Sequence, residues 1–172
     1  ARLGVQPRVR NGVLRIAGTH SKAGMTRVFR TVPAMAFRSA EMIFQVGANN
    51  RAETGVMLSI ETARRRSWSL QLLRTPDGAI RWLVRAGNKE DFGDTPLRVS
   101  AGQPIAVSFF VNRDVSPPVL TVTVDGRVVY SEVEARLRTP SGDLYVGLYA
   151  ATRNALPVDV SADKTTLIYS LP

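Results

Sequence analysis

Leu120-Thr121-Val122-Thr123-Val124-Asp125-Gly126-Arg127-Val128-Val129-Tyr130 is the stretch that decides the fold class. Leu120, Val122 and Val124 recur at every second position with Thr121 and Thr123 between them. A strand sends alternate side chains to opposite faces, so this spacing makes one apolar face and one polar face. Asp125-Gly126 then supplies two residues that tolerate positive φ, which a two-residue hairpin turn requires. Val128-Val129-Tyr130 returns as the second strand. A lone hairpin is marginal in water, so its apolar face needs further strands to pack against.

The same alternation extends outward in both directions. Upstream lie Ile105, Val107, Phe109 and Val111, and before them Ile80, Trp82 and Val84. The latter follow Trp68, Leu70 and Leu72 across Thr75-Pro76-Asp77-Gly78, where Pro and Gly stand where a reversal wants them. Val56, Leu58 and Ile60 alternate with Ser59 and Glu61, and Ala40, Met42, Phe44 and Val46 with Ser39, Glu41 and Gln45. Thr26 to Val32 stops at Pro33, which cannot donate to a ladder. Val13 to Ala17 follows Asn11-Gly12, and downstream Leu144 to Tyr149 and Thr165 to Leu171 close the series. About a dozen short strands with turns between them predict an all-β, two-sheet antiparallel sandwich. Ala86 to Pro96 reads as a long polar loop, and Ser131 to Arg138 is the nearest approach to a helix. With neither repeat nor linker-like shift in composition, residues 1–172 are expected to form one domain.

Composition narrows the classes. Hydrophobic residues make up 44% and charged residues 22%, a globular mix that argues against disorder. Apolar runs reach only a few residues, as in Ile105 to Val111, too short for a membrane-spanning helix. Cysteine is absent, which excludes disulfides, thiolate metal sites and cysteine nucleophiles. The net charge is +9, carried by twenty arginines and three lysines, 23 cations in all. Arginine's planar fork suits anionic partners and interfaces, although a compositional bias of the genome would give the same ratio. The chain starts at Ala1, as it would after removal of a leader or of an initiator Met alone. An extracytoplasmic location, periplasmic or cell-surface, is the expectation.

Several segments together carry a resemblance. Asn11-Gly12-Val13-Leu14-Arg15-Ile16, Glu53-Thr54-Gly55-Val56-Met57-Leu58, Val122 to Val129, and Gly142-Asp143-Leu144-Tyr145-Val146-Gly147-Leu148-Tyr149 follow in order over nearly the whole chain. They resemble the concanavalin A-like lectin/glucanase superfamily, including laminin-G-like domains, and the resemblance implies a jelly roll. Glycoside hydrolases of that superfamily carry carboxylates at alternate strand positions, as Glu-x-Asp-x-x-Glu, so that they flank one glycosidic bond. No such run exists in this chain. Glu41 and Glu61 stand isolated on their strands, and Glu132-Val133-Glu134 is the only alternating acidic pair, read as a solvated edge. The expectation is that the chain is not an enzyme and has no catalytic residues.

Other constellations were weighed in the same way. His20 is the only histidine and lies in a loop-like setting, which excludes a triad or a histidine metal site. Asn88 to Asp94 gathers Glu90, Asp91 and Asp94, oxygen ligands that a calcium ion could use, yet without a dedicated alternating ligand register and with Lys89 inside. The Asp91-Phe92-Gly93 triplet lacks the glycine-rich and catalytic loops of a kinase. No cofactor is expected. Arg64-Arg65-Arg66 is the sharpest charge cluster and the candidate contact for an anion or a partner, against a plain solvated turn. Nucleic acid is disfavoured, because only Trp68 stands near that triplet and it alternates with Leu70 and Leu72.

Three functions follow in order. The first is a non-catalytic accessory subunit docking on an acidic protein surface or on other subunits of a larger assembly. That host would be the extracytoplasmic face of a membrane complex, a cell surface or a virion, with peripheral membrane-surface contact open. The second is a carbohydrate-binding module, with Phe92, Tyr145 and Tyr149 as exposed rings for a sugar face. Aromatics are only 7% and both tryptophans fall on apolar sides of strands, which places this second. A glycan-active enzyme comes third.

Overall fold

A computed structural model describes residues 4–19, 24–61, 68–138, 142–152 and 155–170. The strands are β1 (Gln6–Arg10), β2 (Val13–Thr19), β3 (Gly24–Pro33), β4 (Phe37–Val46), β5 (Glu53–Glu61), β6 (Trp68–Arg74) and β7 (Ala79–Ala86). There follow β8 (Lys89–Arg98), β9 (Pro104–Asn112), β10 (Val119–Val124), β11 (Arg127–Val133), a 3-10 turn (Ala135–Arg138), β12 (Asp143–Thr152) and β13 (Pro157–Tyr169). They form two antiparallel sheets, one ordered β1-β2-β13-β4-β9-β10-β11 and the other β3-β12-β5-β6-β7-β8. Neighbours far apart in sequence, such as β13 beside β2 and β4, make this a jelly-roll sandwich. No described helix is long and apolar enough to cross a membrane.

The core lies between the sheets and is built from the alternate residues that the sequence marked. Met42, Phe44, Ile105, Val107, Phe109, Leu120 and Val122 come from the seven-stranded sheet. Val56, Leu58, Ile60, Trp68, Leu70, Leu72, Val146 and Leu148 face them from the six-stranded sheet. Asn11 and Gly12 have φ of 51° and 79°, and Asp125 and Gly126 have 48° and 77°, the left-handed pair that a tight hairpin needs. Asn11-Gly12 therefore joins β1 to β2 and does not merely precede a first strand.

Two segments differ from the sequence expectation. The stretch read as a polar loop, Ala86 to Pro96, is largely β8, paired in antiparallel register with β7 along the sheet edge. It lacked a hydrophobic alternation because an edge strand has little to bury on either face. Its cross-strand partners are charges instead, Arg81 with Asp94 and Arg85 with Glu90. In Ser131 to Arg138, the first residues continue β11 and only Ala135–Arg138 turn. Leu137 anchors that turn in the core, while the Glu134 carboxylate accepts the Arg136 backbone N–H at 2.9 Å.

Candidate functional site

On β5 and β6 burial does not alternate. Thr54, Val56, Leu58 and Ile60 point into the core, yet Met57 and Ser59 on the opposite face are buried too. On β6, Gln71 is only 2% exposed and Leu73 7%, although no described strand packs over that outer face. The neighbours on the same face supply this burial, Phe29, Leu83, Tyr149 and Ala151 packing around Met57 and Leu73. The outer face of this sheet is the recessed surface of the molecule.

Directly paired residues share a face, so the register lays out the recess in rows. The middle row runs Phe29, Gly147, Met57, Gln71, Leu83, Phe92 from β3 to β8. On one side of it lies Thr31, Tyr145, Ser59, Ser69, Arg85, Glu90; on the other lies Arg27, Tyr149, Gly55, Leu73, Arg81, Asp94. Apolar floor and polar flanks thus run across six strands. Gly55 and Gly147 add no side chain to it, and a Cβ at either would collide with the backbone carbonyl of Leu72 or Val28 on the adjacent strand. Met57, Leu73 and Tyr149 form a small apolar cluster there, separate from the main core, with Phe29, Leu83 and Ala151 packed around it.

The polar groups of the recess are incompletely paired. Gln71 Oε1 is fully buried and has no hydrogen-bond partner. Arg85 Nε lies 2.8 Å from Glu90 Oε1, but its N–H is not aimed at that oxygen, and so the pair is an ion pair without a hydrogen bond. Burial pushes the Tyr149 phenol above its ordinary range, and Glu53 adds to the rise while Arg85 and Arg27 oppose it. Tyr149 is therefore a neutral donor at physiological pH. Tyr145 meets Phe29 edge-on with ring centroids 5.8 Å apart, and the Arg27 guanidinium lies over the Phe29 ring, 5.5 Å from its centroid. A pocket of about 370 Å³ opens at the Tyr149 end, walled by Met25, Glu53, Arg85 and Ala151.

Charge on this face is balanced, unlike that of the chain as a whole. It carries Arg27, Arg81, Arg85 and Arg98, with Arg51 at the Tyr149 end, against Glu53, Glu61, Glu90, Asp94 and Asp143. The excess of cations lies elsewhere.

The sequence candidates fall into place unevenly. Tyr145 and Tyr149 share the recessed face as their spacing implied, but they are not exposed rings: Tyr145 is half-buried and Tyr149 only 3% exposed. Phe92 is exposed, on the same face but on the edge strand. Glu90, Asp91 and Asp94 do not converge, since strand alternation turns Asp91 away from the other two, each of which is held by an arginine. Among the described residues no group of three His, Cys, Asp or Glu could hold a metal. Arg64, Arg65, Arg66 and His20 lie outside the described residues. Glu132 and Glu134 part company: Glu132 is exposed on β11, and Glu134 is buried and paired with Arg136 at 3.1 Å. Glu61 is not isolated. It sits directly opposite Asp143 of β12, at one end of the recess. Gln71 was passed over because polar residues at alternate positions look like a wetted face. The signal that could have found it is the apolar company of Met57, Leu73 and Leu83 at those same outward positions.

No protein-family model matches the chain, and no curated protein matches it in sequence. Solved structures do resemble it. A functionally unknown protein from Saccharomyces cerevisiae aligns with TM-score 0.66 and 12% identity, over 97% of this chain and 93% of that one. A laminarinase from Flavobacterium sp. UMI-01 gives 0.62 and 12%, over 95% and 81%. The carbohydrate-binding module CBM66 from Bacillus subtilis gives 0.54 and 8%, over 96% and 92%. At such identities the likeness shows the fold: a concanavalin A-like jelly roll.

These neighbours overturn one expectation. The chain was read as not an enzyme, yet an alginate lyase and a κ-carrageenase from Pseudoalteromonas carrageenovora stand beside the laminarinase among its structural neighbours. The architecture is one on which glycan cleavage is built, and so a missing sequence run excludes nothing. Carboxylates can also be paired across strands, as Glu61 and Asp143 are, where no linear motif records them.

Proposed function

We propose that this protein binds a glycan along the recessed face of its six-stranded sheet, and that the glycan is uncharged. The observation that carries the reading is Gln71. A buried carboxamide oxygen without a partner costs about 1–3 kcal/mol, a cost that a sugar hydroxyl donating to it would remove once the side chains packed over it part to admit the ligand. Around it the recess offers what sugars use: apolar and aromatic surface from Phe29, Leu83, Phe92 and Tyr145, with Ser69 and, at the Tyr149 pocket, the neutral Tyr149 phenol for hydroxyls. Carboxylates and arginines balance here, so the face offers no net attraction to a uronate or sulfated chain. The accessory-subunit reading rests on arginine content and on the lack of a catalytic sequence motif, and has no comparable feature in the recess. A glycan partner fits an extracytoplasmic setting.

The test is calorimetric titration with three probes drawn from the neighbours' ligands: laminaritetraose, an alginate trisaccharide and a κ-carrageenan oligosaccharide. Binding of the uncharged glucose oligomer, lost in Gln71→Leu, is the expected result. Binding of none of the three, or of the two anionic ones alone, would overturn the reading.

The Glu61–Asp143 pair favours a second reading, that the same face cleaves the glycan it holds. Residues directly opposite on antiparallel strands have Cβ atoms about 4.5–5.5 Å apart, and a retaining glycosidase needs its carboxyl groups about 5–5.5 Å apart. New reducing ends from laminarin, abolished in both Glu61→Gln and Asp143→Asn, would establish it. Equal release by the variants would remove the pair from the chemistry.

A further inference from the structure

At the end of the sandwich where the β3–β4 turn, the β9–β10 loop and the 3-10 turn meet, three arginines converge. A pocket of about 490 Å³ is lined by Met35, Arg38, Arg113, Val115, Pro118 and Arg138. Arg113 is built into the fold. Its Nε donates to the Phe37 carbonyl at 3.1 Å, one terminal nitrogen to Leu137 at 3.1 Å, and the other to Ala34 at 2.8 Å and Phe37 at 3.0 Å. All these acceptors are neutral backbone oxygens. Among the described residues Arg38 uses only its Nε, donating to Ser170 Oγ at 2.9 Å, so its terminal N–H groups have no partner there. Arg138 makes no hydrogen bond or ion pair among the described residues. None of the five ion pairs among those residues involves Arg38, Arg113 or Arg138.

Three like charges around one pocket repel unless something offsets them. Arg113 carries the mark of this: burial and then the charges of Arg38 and Arg138 pull its pKa below the usual arginine value. Other arginines of the chain have found carboxylates, as Arg15 has with Asp159 at 2.7 Å and Arg136 with Glu134 at 3.1 Å. Here the partner is missing from the described part of the fold. A single carboxylate would cancel one charge of three. A phosphate monoester carries about −1.5 to −2 at neutral pH and three acceptor oxygens, and guanidinium forks match such groups bidentately.

From this geometry we infer that the Arg38–Arg113–Arg138 pocket is a second ligand site, one that binds a tetrahedral oxyanion, a phosphate or sulfate ester group. The site is independent of glycan binding in the recess. It accounts for part of the chain's excess positive charge, which the recess does not hold.

The experiment is a titration of 15N-labelled protein with inorganic phosphate and inorganic sulfate, watching the arginine Nε–H signals and the amides of residues 34–38. The expected result is saturable shifts of those signals with both anions and none with acetate at the same ionic strength. The double variant Arg38→Gln/Arg138→Gln, which leaves the backbone-holding Arg113 in place, should bind each anion at least about tenfold more weakly, the loss of a charge-assisted hydrogen bond. Glucose 6-sulfate and vesicles containing phosphatidic acid then separate a soluble ester from a lipid headgroup, by which of them binds more tightly than the free ion. Unchanged affinity in the double variant would overturn the site, as would shifts confined to other basic residues. Laminaritetraose binding by the double variant is expected to be intact, so failure here is distinguishable from failure of the glycan reading.

Discussion

Replacing Gln71 by leucine should make the protein more stable and worse at its work. Gln71 is 2% exposed, flanked in register by Met57 and Leu83, and its Oε1 has no partner. Leucine is close in size, suits a strand, and meets apolar neighbours on both sides. Removing an unsatisfied buried acceptor recovers about 1–2 kcal/mol of the roughly 1–3 kcal/mol such a group costs. For a chain of this length each kcal/mol moves the melting temperature by about 2–4 °C, so Gln71→Leu should melt about 2–8 °C higher. With the acceptor gone, a sugar hydroxyl that had donated to it is left desolvated, and affinity for laminaritetraose should fall about tenfold or more, since 1.4 kcal/mol is a factor of ten. Calorimetric melting and isothermal titration on the same sample measure both. A variant that melts lower, or one that binds the oligosaccharide as before, refutes the reasoning, because the two effects share one cause. Stability withheld at a site is the expected signature of function there.

Tyr149→Phe should leave the melting temperature nearly unchanged and weaken laminaritetraose binding several-fold, as seen by titration, since it removes one neutral donor from the recess. Binding of that oligosaccharide should change little between about 0.05 and 0.5 M salt, because screening acts on charges and the ligand has none; a steep loss with salt would point to an anionic ligand. Tyr130, held edge-on to Trp82 with centroids 5.3 Å apart, has its phenol pushed up to about 12, first by burial and then by Glu134 and Glu132. A pKa raised on folding means stability present below the unfolded value near 10 and lost as pH climbs through the folded one. Melting temperature should accordingly drop across pH 10–12, and Tyr130→Phe should flatten part of that drop. Phe109→Ala, at 0% exposure in the core, should cost about 3–5 kcal/mol in denaturant unfolding.

Period and punctuation made the fold legible. Alternation in Ile105 to Val111 and Leu120 to Val124, with Asp125-Gly126 between strands, states locally which side chains go inside. β8 escaped because an edge strand buries too little to show a period, and β1 because five exposed residues leave no pattern. The recess was harder to see, for it exists only once six strands are in register. Tyr145 and Tyr149 could be put on one face by spacing, but not their burial, which depends on the neighbours packed around them on that face. The Glu61–Asp143 pair comes from strands widely separated in sequence, as do Arg38, Arg113 and Arg138. Only the topology brings such residues together.

The central claim is that the recessed face of the six-stranded sheet holds a sugar chain. A chemical-shift map with laminaritetraose tests it most directly. The account predicts saturable shifts clustered on Met57, Ser59, Ser69, Gln71, Tyr145 and Tyr149, with the outer face of β4, β9 and β10 silent. Shifts gathered on that opposite sheet, or none at millimolar oligosaccharide, would contradict it.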